Sequence, residues 1–176
     1  MRKVYATLTA GGAIGLIASF LQSVEKINLL KHRGNPLACD LNSVFSCSNV
    51  LNAKQSSVFG FPNSFLCMVL FTIFMITGLV LLTGGQISRK LLLWIQGFSL
   101  FMLGFGLWFL WQSTYRIGSL CVFCVFCFAG LLMINWSFVR INQKDSLAKY
   151  IISGADTFGW ILLGLIVAAL MVLRFW

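Results

Sequence analysis

The sequence predicts an all-α membrane protein with five transmembrane helices, and three features carry that expectation. Hydrophobic residues make up 59% of the 176 and charged residues only 10%, a balance that no soluble domain can cover with polar surface. Five apolar stretches, at about 4–24, 64–83, 91–112, 119–138 and 158–175, come close to the roughly 20 residues that a spanning helix needs. All six tryptophans, Trp94, Trp108, Trp111, Trp136, Trp160 and Trp176, fall near the ends of these stretches, where amphipathic rings anchor at the membrane interface.

Taken in order, the first stretch follows Arg2 and Lys3 and so has the start of a signal peptide. Its length, and the lack of a small-x-small cleavage site before Glu25, favour a retained helix. A long loop, 25–62, comes next, in which Asp40, Asn42 and Ser43 can supply a turn or a cap before a short helix from about Val44 to Lys54. The second span opens at Asn63-Ser64 behind Pro62, the third behind Arg89 and Lys90, the fourth behind Gly118 and Ser119, and the fifth behind a loop holding Arg140, Lys144 and Lys149.

A net charge of +9 in a soluble protein would suggest a nucleic-acid partner. Here the basic residues sit beside the spans, where they orient helices, and no nucleic acid is expected. Lys26, Lys31, Arg33, Lys54, Arg116 and Arg174 lie on the side opposite to the other seven. They are the more diluted set, which places the N-terminus in the cytoplasm.

The six cysteines are Cys39 and Cys47 in the long loop, Cys67 in the second span, and Cys121, Cys124 and Cys127 at the start of the fourth. The chain crosses the membrane twice between the loop and the fourth span, so the loop pair and the Cys121-Val122-Phe123-Cys124 motif share a side whichever way the protein points. With a cytoplasmic N-terminus that side is extracytoplasmic, where disulfides persist.

At spacing i, i+3 the Cβ atoms of Cys121 and Cys124 stand roughly 5–6 Å apart on a helix, so a slightly distorted first turn brings them within disulfide range. Cys121 is expected in that first turn, where free amides and the helix dipole favour a thiolate. On one straight helix Cys39 and Cys47 would stand ~12 Å apart, beyond the ~7 Å limit for a bridge, so pairing requires the segment between them to bend. A zinc site is the rival use of four cysteines, but seven residues between Cys39 and Cys47 exceed the usual knuckle spacing. Cys67 and Cys127 read as packed small hydrophobes. His32 lies in a basic loop stretch and reads as solvated.

Cys39-Asp40, Cys47 eight residues on, Asn63-Ser64 opening the second span and Cys121-x-x-Cys124 in the fourth together resemble the vitamin K epoxide reductase family over about residues 1–140. Phe59-Gly60-Phe61-Pro62 is similar to its prokaryotic branch. The resemblance implies a four-helix catalytic bundle, 1–140, around a quinone of menaquinone, ubiquinone or phylloquinone type, capped by the loop 25–62, with 141–176 forming a cytoplasmic loop and a fifth helix. It implies that Cys39 exchanges with a thioredoxin-like partner, Cys47 exchanges with Cys121, and Cys124 faces the quinone. Asn63 would bond a quinone carbonyl, although an asparagine behind Pro62 also suits a helix cap.

Two positions depart from the family pattern. Ala53 stands where a hydroxyl residue is usual, so any such role falls to Ser56, Ser57 or nothing. Phe128 stands where the animal enzymes carry a tyrosine, which makes reduction of a quinone the expected activity rather than reduction of an epoxide. Because the chain stops at Arg174-Phe175-Trp176, the partner is expected to be a separate polypeptide.

The expected function is a membrane thiol-disulfide oxidoreductase in the prokaryotic cytoplasmic membrane, with its active site on the outer side, passing electrons to a quinone that shares the apolar phase. Cys127 and Phe128, i+3 and i+4 from Cys124, share its helix face and are expected to line an apolar pocket with Phe61, Phe65 and Trp108. The alternative is a noncatalytic scaffold or transporter subunit stapled by loop disulfides. The spans hold almost none of the ionisable residues that transporters commonly carry.

Overall fold

The computed structural model describes residues 1–31, 37, 39–40, 42, 44–142 and 146–175, with 146–155 described by backbone alone. His32, Arg33, Ser43, Lys144 and Trp176, together with the side chain of Lys149, lie outside the described residues. The elements are α1 (Arg2–Lys31), α2 (Cys47–Asn52), a 3-10 turn (Lys54–Ser57), α3 (Asn63–Leu82), α4 (Arg89–Trp111) continued by a π segment (Gln112–Ile117), α5 (Val122–Asn142) and α6 (Ser146–Phe175). Five of these helices are long and apolar enough to cross a membrane, so the protein is a helical membrane bundle. Among the described residues the single β feature is an isolated parallel bridge between Phe45 and Leu120.

Close backbone approach packs α1 against α3 and α5. A Cβ placed on Gly12 would lie 2.6 Å from the Met75 nitrogen, and one on Gly11 would lie 2.9 Å from the Gly130 carbonyl. In lipid, where apolar burial adds little between helices, such small residues let van der Waals packing do the work. Phe71, Phe74 and Phe138 fill the centre, with Phe74 meeting both other rings edge-on. α4 is cross-linked to α5 by a satisfied polar pair: Ser99 Oγ donates to Asn135 Oδ1, and Asn135 Nδ2 donates to the Ser99 and Leu131 carbonyls.

α6 stands outside this four-helix group, and no residue of its span is buried. At one end it is held to α5 by the Arg140–Asp156 ion pair at 2.8 Å and by Trp136 Nε1 donating to Thr157.

Several boundaries differ from the sequence expectation: α5 runs to Asn142 rather than 138 and α6 starts at Ser146 rather than 158, so most of the expected loop between the last two spans is helical, and three further differences follow from tertiary contacts. α1 runs on to Lys31 rather than ending near 24, since its polar last turns support the loop: Lys26 Nζ donates to the Leu51 carbonyl, and Leu29 packs beneath. The short helix covers Cys47–Asn52 rather than 44–54; Ser46 is its N-cap, accepting from the Asn49 amide, and the Asp40 carboxylate accepts from the Ser48 amide of its first turn. α5 starts at Val122 rather than 119, because Leu120 is drawn into the bridge with Phe45 and its N–H donates to the Val44 carbonyl. The reversal before it depends on Gly118, whose φ of +73° suits glycine.

Candidate functional site

Asp40 folds the loop. Its carboxylate accepts from the Leu37 and Ser48 amides at 2.9 and 3.0 Å, from the Ser46 hydroxyl at 3.0 Å and from the Ser48 hydroxyl. Burial opposes its ionisation, but the hydrogen bonds from Ser48, Leu37 and Ser46 outweigh that and hold its pKa down at about 2, so it is charged throughout the neutral range. Asn42 adds a second turn, its Oδ1 accepting from the Val44 and Phe45 amides. The resulting bend brings the Cα atoms of Cys39 and Cys47 to 5.7 Å, and the two are joined as a disulfide.

The folded loop is then docked on the mouth of α5 by the Phe45–Leu120 bridge and by Asn49 Nδ2 donating to Ser119 Oγ at 3.1 Å. Docking places Cys47 Sγ 3.6 Å from Cys121 Sγ, with both residues fully buried. Cys121 lies one residue before α5 rather than inside its first turn. It serves as the cap, its carbonyl accepting from the Cys124 and Val125 amides, so its sulphur still sits at the positive end of the helix dipole. Cys39 is only 7% exposed and packs among Leu29, Leu37 and Leu51, so an outside thiol reaches it only when that cover shifts.

Behind Cys124, between α1, α3, α4 and α5, lies a cavity of about 540 Å³ with its open mouth included. Its inner part is tight, leaving about 60 Å³ in which the centre of a water molecule fits. Phe71, Met102, Phe105, Phe109 and Phe128 give apolar walls, and Cys124 and Cys127 lie on the wall with Cys67 from α3. Gln22, Ser56, Asn63 and Ser64 are its polar groups.

Phe61, Phe65 and Trp108 do not line the cavity; they are 45%, 41% and 41% exposed. Helical period explains this: Asn63, Cys67 and Phe71 recur at i, i+4 and i+8 on the inner face of α3, and Phe65 points away. On α4 it is Phe105 and Phe109 that face inward, and Trp108 packs on Phe105 from outside, with ring centroids 5.5 Å apart.

Asn63 does not cap α3, because its side chain makes no capping bond. It latches the loop instead, with Oδ1 accepting from the Val58 amide at 3.1 Å and Nδ2 donating to the Gln55 carbonyl at 2.7 Å. One N–H of that amide remains for a ligand. Ser56 ties the same loop together by donating to the Leu51 carbonyl at 2.7 Å, near the position where Ala53 lacks a hydroxyl.

Sequence reasoning missed Gln22. Its Nε2 donates to Cys124 Sγ at 3.4 Å from across the bundle, and its sequence signal was an amide inside an apolar span.

With aromatic walls, a few polar groups and a cysteine on its wall, the cavity has the make-up of a small-molecule site. The model of the vitamin K epoxide reductase family matches residues 6–141. No curated protein matches the chain significantly. With more than half of its length matched and with paired cysteines at the head of a membrane bundle, the chain belongs to the vitamin K epoxide reductase family of membrane redox enzymes.

Proposed function

We propose that the protein oxidises a separate thioredoxin-like protein through a cysteine relay and passes the electrons to a membrane quinone, supporting disulfide formation outside the cytoplasm. The observation that carries this reading is the 3.6 Å between Cys47 Sγ and Cys121 Sγ while Cys47 is bonded to Cys39. Exchange proceeds by a thiolate attacking a disulfide sulphur, and three sulphurs in reach of one another are what it requires.

In the working direction the partner's thiolate attacks Cys39, and a second partner thiol resolves the mixed disulfide, leaving Cys39 and Cys47 reduced. Cys47 then attacks Cys121, the Cys121–Cys124 bond breaks, and Cys124 leaves with the electron pair. Cys39 next attacks Cys47, which restores the loop disulfide and frees Cys121. The cycle thus returns to an oxidised loop beside reduced Cys121 and Cys124. A bound quinone supplies a two-electron, two-proton acceptor, and Asn63, Phe128 and Cys124 would hold it, with the tight inner walls drawing back to admit the ring.

Thiol titration of the purified chain with and without added quinone tests the reading. Cys121 and Cys124 are expected to become resistant to alkylation only when quinone is present. A scaffold stapled by its loop disulfide would show no such dependence, and equal thiol counts in both arms would overturn the proposal.

The proposed orientation follows from the denser basic residues at Arg2, Lys3, Arg89 and Lys90. Reporter fusions after Gly84 and within 143–147 are both expected to read cytoplasm. An external signal from either would reverse or break the arrangement.

A further inference from the structure

We propose that Gln22 is a catalytic residue of the loop-to-helix exchange, donating its Nε2 hydrogen to the Cys124 sulphur as that sulphur leaves Cys121. The inference rests on the proposed exchange between the loop and α5, and is independent of which acceptor finally takes the electrons.

Gln22 is 8% exposed, and among the described residues the one hydrogen bond of its side chain is the 3.4 Å contact to Cys124 Sγ. Its carbonyl oxygen has no partner there. A buried amide with an unmet acceptor destabilises a bundle relative to an apolar side chain of the same size, so helix packing does not account for it.

The chemistry of the leaving step does. When Cys47 attacks Cys121, a bond forms between their sulphurs, the Cys121–Cys124 bond breaks, and the electron pair goes to Cys124. That sulphur becomes an anion against an apolar wall, where a fixed donor is worth more than in water. The thiols of Cys67 and Cys127 on the same wall are weak donors, and two closer groups cannot supply one. Cys121 carries no hydrogen on sulphur while bonded to Cys47, and the Cys124 amide is already donated to the Cys121 carbonyl at 3.0 Å. With Cys124 released as a free thiol, the Gln22 N–H stands 3.4 Å from its sulphur, where the departing anion comes to rest. Exchange is faster when the departing thiolate is more stable, so this contact acts on the rate.

The test uses the full chain in quinone-free detergent. In a Cys39→Ser background the Cys47–Cys121 bridge forms with Cys124 leaving and cannot be resolved by residue 39. The protein is oxidised to the Cys121–Cys124 state in mild acid, jumped to neutral pH, quenched, alkylated and mapped. Gln22→Met, which keeps length and volume but lacks the donor, is expected to slow bridge formation by about tenfold or more.

The slowing is expected only where Cys124 leaves. In a Cys124→Ser chain the same bridge forms by Cys121 attacking Cys47 with Cys39 leaving, and a merely structural defect at Gln22 would slow this reaction equally. Unchanged rates in the Cys39→Ser series, or equal slowing in both series, would overturn the role of Gln22. If no bridge forms in either series with Gln22 intact, the exchange itself is wrong and the inference falls with it.

Discussion

Replacing Cys124 with serine is expected to stop quinone-dependent turnover, by roughly three orders of magnitude or more as for loss of a covalent catalytic group, and to leave a disulfide between Cys47 and Cys121. Those two sulphurs are 3.6 Å apart, so Cys121 can attack Cys47 and release Cys39 without any large movement of the docked loop. In the intact chain the bridge is resolved by Cys39 in the working direction and by Cys124 in the reverse one. Without Cys124 the bridge is held once the freed Cys39 is alkylated. Cys47→Ser leaves Cys39 a free thiol, and mixing it with the oxidised partner is expected to give a disulfide between Cys39 and the partner, formed as Cys39 attacks the partner's disulfide and one partner thiol is released, visible as a higher-mass band that reductant abolishes. Cys67→Ala and Cys127→Ala are expected to retain both exchanges, since neither sulphur lies in the sequence of attacks. They line the cavity, and their effect is expected on the quinone KM instead. Peptide mapping under nonreducing conditions decides each case, and the order of transfer is wrong if Cys124→Ser yields no loop-to-helix bridge.

The parts of this architecture that were legible in the sequence are those set by composition along a short window. Five spans follow from hydropathy alone, because lipid demands an uninterrupted apolar helix wherever the backbone crosses it. The common side of the two cysteine pairs follows from counting crossings. What was not legible depends on contacts between distant residues. The apolar run of α1 stops before Glu25 and Lys26, yet the helix goes on because Lys26 and Leu29 meet the loop 25–62. Asp40 could be picked out as a turn former by its residue type. Its actual partners, Leu37, Ser46 and Ser48, are near in sequence but lie along irregular backbone whose path spacing does not predict.

The same distinction governs the cavity. Cys127 and Phe128 could be placed beside Cys124 because one helix carries all three. The walls from α3 and α4 required the rotation of those helices, and their apolar faces are too uniform to reveal it: Phe65 and Phe71 differ in sequence only by position, and one faces out while the other faces in. Gln22 was visible as an amide in an apolar span, but its target lies 102 residues away.

Asn63→Ala is expected to lower quinone-dependent turnover by an amount equivalent to about 2–4 kcal/mol of transition-state stabilisation, the usual loss on removing one donor from a carbonyl whose negative charge grows during reaction. The amide has two duties, and they separate experimentally. Its Oδ1 and one N–H hold the loop through Val58 and Gln55, and the second N–H is free for a ring oxygen in the cavity that Asn63 lines. If the latch alone matters, Asn63→Ala loosens the loop, and the Cys47–Cys121 bridge fails to form in an Asn63→Ala, Cys124→Ser chain. If the donor matters, that bridge forms at the ordinary rate and the deficit is confined to reoxidation of Cys121 and Cys124 by quinone. The second pattern is the expected one, because the loop is also fastened by Lys26 to Leu51, by Asn49 to Ser119 and by the Phe45–Leu120 bridge, none of which passes through Asn63. Single-turnover alkylation with and without quinone distinguishes the two, and normal reoxidation in Asn63→Ala would leave the residue a loop latch only.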